Sequence, residues 1–373
     1  MKILMKDTFL PGNTYSLELC ENLKKYADIV LLCKENAGDI EGKVVYKKII
    51  YTKTSNKLWS LMKYGKSIFQ EFNELRKERY DVYHIQSYKN LFVEIFMFYL
   101  AKKYCKAVVT TVHNVLPHEV SKSDRRLHEQ WYKISNALIV HNEATKECLK
   151  NMFPDTESKI YVIPHGTYSG HVNSSIRLKY TGKDSEVNFL LFGQIRPYKG
   201  IDILIQAISY LNREIREKIH ITIVGNQLPG QDRTDYPELI RRYHAGDCLD
   251  FQRRRVPDEE LPELFGKADF CLFPYKEIYG SGALLMAYTY RKPVIVSDVP
   301  SFIEETDHGK AGILFENGNP KELAKAIERA AVMKKEEICL YKSAIAKLVR
   351  KKYNWVVSAK KTFEVYEKIL TNN

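Results

Sequence analysis

A chain of 373 residues with 58 Lys+Arg against 46 Asp+Glu carries a formal charge of +12 at pH 7, and its length suggests two domains or one large one. Hydrophobic residues make up 45% and charged residues 28%, a globular balance that excludes disorder and collagen-like repeats. No apolar run reaches the ~18–20 residues needed to cross a bilayer. The nearest, Leu91 to Ala101, is interrupted by Glu94 and followed by Lys102 and Lys103. MKILMKD reads as a first buried strand rather than a signal peptide, so the expected location is the cytoplasm. The cysteines contain no C-x-x-C pair and sit mostly in apolar segments, as Cys33 and Cys271 do. That fits a reducing compartment with neither disulfides nor a zinc site. The positive charge suits nucleic acid, an anionic membrane surface or phosphorylated substrates.

In chain order, the predicted strands of the first half are KILMK, DIVLLC, YKKIIYT, YDVYHIQ, KAVVTTV, NALIVH and KIYVIP. Between the third and fourth, Leu58, Leu61, Met62, Gly65, Phe69 and Phe72 mark one helical face, with Trp59, Lys63 and Lys66 on another. This pattern is either an ordinary amphipathic helix with a solvated basic face or a helix suited to an anionic membrane surface. Residues 167 to 187 are polar, rich in Gly and Ser and without apolar period, which places a domain boundary there. Beyond it the strands resume with NFLLF, IHITIV, CLDFQ, DFCLF, PVIVS and GILF. Strands alternating with helices predict two parallel sheets, each covered on both sides. Asn319-Pro320-Lys321-Glu322 predicts an N-cap, a first-turn proline and a capping-box glutamate. Trp355, Ala359, Phe363, Tyr366 and Leu370 predict a final amphipathic helix.

Ligands of open parallel sheets bind beyond the carboxyl ends of the strands. Chemically able residues cluster there: His84, His113-Asn114 and His165 in the first half, then Gly193, Gly225, Pro274-Tyr275 and Ser297-Asp298 in the second. In FGQIRPYKGIDIL a strand stops at Gly193, a loop carries Arg196 and Lys199, and Gly200 opens a helix. Two cations beside a helix N-terminus suit a diphosphate, although a basic loop that is merely solvated has the same residues. In PYKEIYGSGALL, Gly280-Ser281-Gly282 precedes a short helix beginning near Ala283. Its backbone N–H groups suit an anion, and a plain tight turn is the alternative. There is no G-x-G-x-x-G after the first strand, no G-x-x-x-x-G-K-[ST] and no G-x-S-x-G. His113, His118 and Glu119 do not form H-E-x-x-H, so no metal site is expected.

These residues resemble the retaining nucleotide-sugar glycosyltransferases of the GT-B fold, in particular family 4 (group 1), over nearly the whole length and most strongly over residues 188 to 330. The family's strand-G-R-x-x-x-x-K-G-helix matches at Lys199-Gly200, with Gln194 at the usual arginine and Arg196 two residues later. Ala287, Pro293, Val294, Ile295, Ser297 and Glu304 fit the family's later pattern. The family's glutamate pair, E-x7-E, is replaced by Ile278 and Met286, with Glu277 one residue from the first. TVHN resembles the family's first-domain histidine that reaches the donor sugar, and Gly12-Asn13-Thr14 resembles its first strand–helix loop.

The resemblance implies an α/β protein of two Rossmann-like domains facing each other across a cleft. Residues 1–170 would bind the acceptor, 180–355 the nucleotide sugar, and the helix 356–373 would cross back onto the first domain. The implied reaction is transfer of a sugar, with retention, from a UDP- or GDP-sugar to a glycan or lipid-linked glycan in cell-surface polysaccharide biosynthesis. It needs no metal or other cofactor, and domain closure would exclude water. His113, Arg196, Lys199 and Glu277 take catalytic roles in this reading. Gly12, Gly193, Gly225, Tyr275, Gly280, Ser281, Gly282 and Ala283 hold the donor. The expected partners are the nucleotide sugar, the acceptor and an anionic membrane at the inner face of the cell membrane, but not nucleic acid. The alternatives are a nucleotide-sugar epimerase of the same architecture, a basic nucleic-acid-binding protein and, further off, a two-lobed ligand-binding protein.

Overall fold

Each predicted strand forms, and the strands sort into two separate parallel sheets. A computed structural model describes residues 1–10, 14–37, 44–52, 55–87, 91–116, 122–168, 186–228 and 230–371. The chain divides into one unit of Met1–Gly166 with Asn354–Asn373, and a second of Thr167–Tyr353. Most of the polar stretch predicted as the boundary lies outside the described residues.

In the first unit the strands are β1 (Lys2–Lys6), β2 (Asp28–Lys34), β3 (Val45–Ile50), β4 (Val82–Ile85), β5 (Ala107–Thr111), β6 (Ala137–Val140) and β7 (Ile160–Val162). They lie in the order β3-β2-β1-β4-β5-β6-β7. The helices are α1 (Tyr15–Leu23), α2 (Lys57–Lys77), α3 (Leu91–Tyr104), α4 (Lys122–Ile134), α5 (Glu143–Met152) and, from the chain end, α14 (Trp355–Thr371). Leu19, Cys20 and Leu23 of α1 share a buried cluster with Tyr366 and Ile369 of α14 and with Ile3 and Met5 of β1. Each such buried aliphatic side chain contributes about 1.5–3 kcal/mol of transfer energy.

The second unit repeats the plan. Its strands are β8 (Val187–Phe192), β9 (Ile219–Gly225), β10 (Leu249–Arg253), β11 (Phe270–Phe273), β12 (Val294–Ser297) and β13 (Gly312–Phe315), ordered β10-β9-β8-β11-β12-β13. Between and after them run α6 (Ile201–Ile208), α7 (Arg213–Arg216), α8 (Tyr236–Arg242), α9 (Leu261–Lys267), α10 (Gly282–Thr289), α11 (Pro300–Glu305), α12 (Pro320–Ala331) and α13 (Lys335–Lys351). In both sheets the order reverses beside the first strand, between β1 and β4 and between β8 and β11. Such a switch point opens a crevice at the strand ends. At α12 the Asn319 side chain accepts from the N–H groups of Lys321 and Glu322 at 3.0 and 3.3 Å, as expected. The reciprocal half of the capping box is not made, because the Glu322 carboxylate instead takes Lys325 at 2.7 Å.

The helix predicted over residues 57 to 75 forms as α2, but the face predicted to be apolar is solvated along with Trp59 and Lys66. Leu58, Trp59, Leu61, Met62 and Phe69 are 59–66% exposed, while Ser67, Glu71 and Leu75 are buried. Helix α3 is apolar on both faces: Leu91, Ile95, Met97, Phe98 and Ala101 are buried together with Glu94, and Phe92, Phe96 and Tyr99 are 59–73% exposed. The cause is Lys6, which points from β1 beneath both helices. Its ammonium sits 2.9 Å from Glu71 and 2.7 Å from Glu94, and Tyr83 donates its hydroxyl to Glu71. Burial alone would lower the Lys6 pKa, yet the two carboxylates outweigh it and hold the ammonium charged. Once these carboxylates turn inward, the 3.6-residue period sends the apolar stripe outward.

Removing one member of a buried ionic cluster leaves its partners uncompensated. Lys6→Met is expected to cost about 3–5 kcal/mol in urea denaturation. Without Lys6 the carboxyl pKa values rise in the folded state, so the variant holds its residual stability at low pH and loses it as pH rises. An equal penalty at pH 5 and pH 8 would contradict the arrangement.

Candidate active site

The second unit places its glycines where its backbone segments meet. At the end of β8 the chain turns at Gly193, whose φ of +114° disfavours any side chain. The Gly193 amide donates to the Val224 carbonyl at 3.1 Å and the Ile195 amide to Asn226 at 2.9 Å, so the loop follows the end of β9. A Cβ on Gly225 would stand 1.8 Å from the Gly193 carbonyl oxygen. One 3-10 turn, Pro197–Lys199, leads to Gly200 at φ +65°, where a Cβ would stand 1.8 Å from the Pro274 carbonyl oxygen. The turn after β8 is thus pressed onto the turns after β9 and β11, at the switch point of the sheet.

This packing strands a cation. Lys199 is 4% exposed, and among the described residues no carboxylate pairs with it. Its Nζ lies 3.5 Å from the Phe192 carbonyl oxygen and 5.0 Å from the centre of the Tyr275 ring. Burial, reinforced by the Arg196 charge, pushes the ammonium down to about 7. Arg196 is half-buried and also lacks an ion pair among the described residues. An uncompensated buried ammonium is costly, which is why such groups ordinarily sit against carboxylates.

The glycine-serine turn meets these cations. Ser281 caps α10, its hydroxyl accepting the Leu284 N–H at 3.1 Å. The amides of Gly282 and Ala283 remain first-turn donors with no partner among the described residues. A Cβ on Gly193 would lie 2.9 Å from Lys199 Nζ and 3.9 Å from the Ala283 Cβ, so loop, ammonium and helix start converge on one point. Tyr275 is buried beneath, and Gly280 is half-buried. Glu277 is exposed beside Lys276, whose ammonium pairs with Asp202 at 2.8 Å. Met286 and Ile278, at the resembled glutamate positions, pack into an apolar cluster. A cavity of about 320 Å³ between one face of β8 to β10 and α9 is lined by charges that already pair, such as Arg254 with Glu260.

In the first unit, β5 runs to Thr111, and His113 follows beside a cavity of about 230 Å³ lined by Gln86, Ser87, Thr111, Asn114 and Trp131. His141, after β6, faces His113 with Nε2 to Nδ1 at 3.1 Å, and its own Nδ1 meets the Ile163 carbonyl at 3.0 Å. Tyr15 stands edge-on to His113 and His165 at 4.9 and 4.8 Å between ring centres. His84 is not at a strand end but inside β4, fully buried between Tyr366 at 2.5 Å and Thr111 at 2.9 Å. Gly12 and Asn13, like His118 and Glu119, lie outside the described residues. Sequence reasoning passed over His141 and Gln86. The signal for the first was present, since His141 ends NALIVH as His113 follows VVTT.

Comparison with known proteins fits this geometry. A family profile described as "Glycosyl transferases group 1" matches residues 175–346, and one described as "Glycosyltransferase Family 4" matches residues 12–168. A GDP-mannose:glycolipid 4-beta-D-mannosyltransferase of Xanthomonas campestris pv. campestris is 28% identical over 61% of this chain and 64% of its own length. This chain therefore matches somewhat less than two thirds of that relative. A UDP-Gal:alpha-D-GlcNAc-diphosphoundecaprenol alpha-1,3-galactosyltransferase of Escherichia coli is 26% identical over 73% and 72% of the two chains. Among solved structures, sucrose-phosphate synthase from Thermosynechococcus elongatus superposes with a TM-score of 0.80 at 16% identity over 100% of both chains. Anabaena HepE, solved in complex with UDP and glucose, gives 0.75 at 18% identity over 99% of this chain and 100% of its own. Matched over 12–168 by one profile and 175–346 by the other, and built on two parallel sheets, the chain belongs to the family 4 (group 1) glycosyltransferases with the GT-B fold.

Proposed function

We propose that the protein transfers a sugar from a nucleoside-diphosphate sugar to a lipid-linked glycan, with retention of configuration. The observation that carries this reading is the buried, unpaired Lys199 beside Arg196 and the free amides of Gly282 and Ala283. Together they offer cations and N–H donors, and no carboxylate, to one point at the end of β8. A diphosphate is the complementary ligand. As the sugar departs, negative charge grows on that diphosphate, and preorganised donors stabilise it more in the transition state than in the ground state. In this reading the second unit binds the donor nucleotide. The first unit, taken by itself, offers His113 and the cavity beside it to hydroxyl groups. Glu277, exposed two residues after Tyr275, adds in this reading a carboxylate contact to the sugar.

The acceptor class is read from the exposed apolar side chains of α2 and α3. Exposed apolar patches of this extent mark interaction sites. Lys57, Lys66, Lys102 and Lys103 are exposed on the same α2 and α3. Aromatics among lysines suit the interface of an anionic bilayer. None of the helices searched among the described residues is long and apolar enough to span a membrane. Contact at the inner face of the cell membrane therefore supports a lipid-linked acceptor. The two relatives named above are described as acting on a glycolipid and a diphosphoundecaprenol-linked sugar, which favours the same class here.

A thermal-shift screen across UDP-, GDP-, ADP- and CMP-sugars tests the reading, since a ligand that binds only the folded state raises its stability. At least one should stabilise the protein, and Lys199→Ala should weaken it by about 1.5–3 kcal/mol, roughly ten- to hundredfold in affinity. Arg196→Ala should lose most turnover as well; unchanged kinetics in both variants would remove the mechanism. Binding should also be linked to a proton. Lys199 titrates near 7 when free and must be charged against diphosphate. Nucleotide affinity should therefore fall by up to about tenfold per pH unit above 7, as calorimetric titrations can show. A flat profile would remove Lys199 from the contact. Finally, the protein should pellet with vesicles rich in phosphatidylglycerol at low salt, and a Trp59→Ser, Phe92→Ser, Phe96→Ser variant should stay in the supernatant. Equal pelleting of the two would sink the membrane assignment.

A further inference from the structure

The hydrogen bonds of the first unit determine which nitrogen of His113 carries a proton. The Ile163 carbonyl can only accept, so His141 Nδ1, 3.0 Å away, must be the N–H. Burial pushes the His141 pKa down to about 4, so the ring is neutral near pH 7 and its Nε2 bears a lone pair. That lone pair faces His113 Nδ1 at 3.1 Å, and the pair makes a hydrogen bond only if His113 Nδ1 carries the hydrogen. Burial first, then the neighbouring His141, His165 and His84, holds the His113 pKa well below its ordinary value. His113 is therefore neutral as well, and its Nε2 is left unprotonated, with no partner among the described residues.

We infer that His141 is a positioning residue that locks His113 in the Nδ1–H tautomer, so that His113 Nε2 accepts a hydrogen bond from a sugar hydroxyl in the adjoining cavity. The cavity supports this assignment independently. Gln86 lines it, is 3% exposed, and its carbonyl Oε1 is buried without a partner. Among the described residues the cavity thus presents two vacant acceptors and no cation, which suits a ligand rich in O–H donors and repels an anion. Its volume of about 230 Å³ falls below the ~300–1,000 Å³ of drug-sized sites and suits a single ring. Trp131 in the wall supplies the apolar surface against which such a ring packs. The contacts of Tyr15 with His113, His141 and His165 hold the three imidazoles against rotation.

The identity of the hydroxyl-bearing ligand rests on the transferase reading; the tautomer does not. The test is nitrogen-15 NMR of the full chain labelled at histidine, at pH 7.5, where protonated and bare ring nitrogens resonate far apart. His113 should show a protonated Nδ1 and a bare Nε2, the form that free histidine in water disfavours. His141→Phe should move the proton to Nε2, while His141→Gln, which can donate to Ile163 and accept from His113, should keep it on Nδ1. Sugar transfer should follow the tautomer. His141→Phe should lower kcat/KM by up to about tenfold, the worth of one neutral hydrogen bond, and His141→Gln should restore it. A wild-type His113 protonated at Nε2 would overturn the proposal, even if His141→Phe failed to fold. So would a His141→Phe protein with unchanged tautomer and turnover. The expected tautomer together with no response to any sugar nucleotide would instead overturn the transferase reading and leave the relay standing.

Discussion

An ammonium group buried without a counter-charge is the constraint around which the second unit is arranged. Lys199 is held there by backbone packing: Gly200 against Pro274 and Gly225 against Gly193. Neither approach tolerates a Cβ, so these glycines follow from the position of the lysine's loop rather than from chain flexibility. The desolvation cost appears as a pKa pushed to about 7, a site that gains by admitting an anion. On the proposed function, a phosphate oxygen would take the place of the missing carboxylate and offset that cost.

The two units offer opposite halves of the hydrogen-bond inventory. Around Lys199 the vacant groups are all donors: an ammonium, a guanidinium and the first amides of α10. Around His113 the vacant groups are acceptors, the imidazole Nε2 and the Gln86 carbonyl. On the proposed reading, the donors of the second unit suit phosphate oxygens, which only accept, and the acceptors of the first unit suit hydroxyls, which donate. Gln194, Ile278 and Met286 stand at the resembled arginine and glutamate positions, so the donor set of the second unit comes from Lys199, Arg196 and backbone amides.

The same logic explains the surface of the first unit. Glu71 and Glu94 are drawn inward by Lys6, and the apolar stripe of α2 and three aromatics of α3 face outward. An apolar core beneath α2 would have placed Leu58 and Phe69 inside. The ionic cluster is less stabilising than such a core would be, because burying charges costs several kcal/mol each before they attract one another. What it supplies is a surface that water alone does not satisfy.

Alternating apolar runs and helical periods were sufficient to predict every strand, the parallel sheets, the Asn319 cap of α12 and the turn carrying Arg196 and Lys199, because these depend on residues close in sequence. The periodicity of α2 was equally legible, yet its direction was not: period shows that a helix has two faces, and only Lys6, some sixty residues earlier, decides which is buried. The burial of Lys199, the approach of Gly193 to Gly225, and the hydrogen bond joining His113 to His141 likewise depend on segments that meet only in the folded sheet. Local pattern thus determined the elements and the chemistry available at their ends. Tertiary structure decided which of those groups lose water and face one another, because desolvation and hydrogen-bond direction are set by distances in space that sequence separation does not encode.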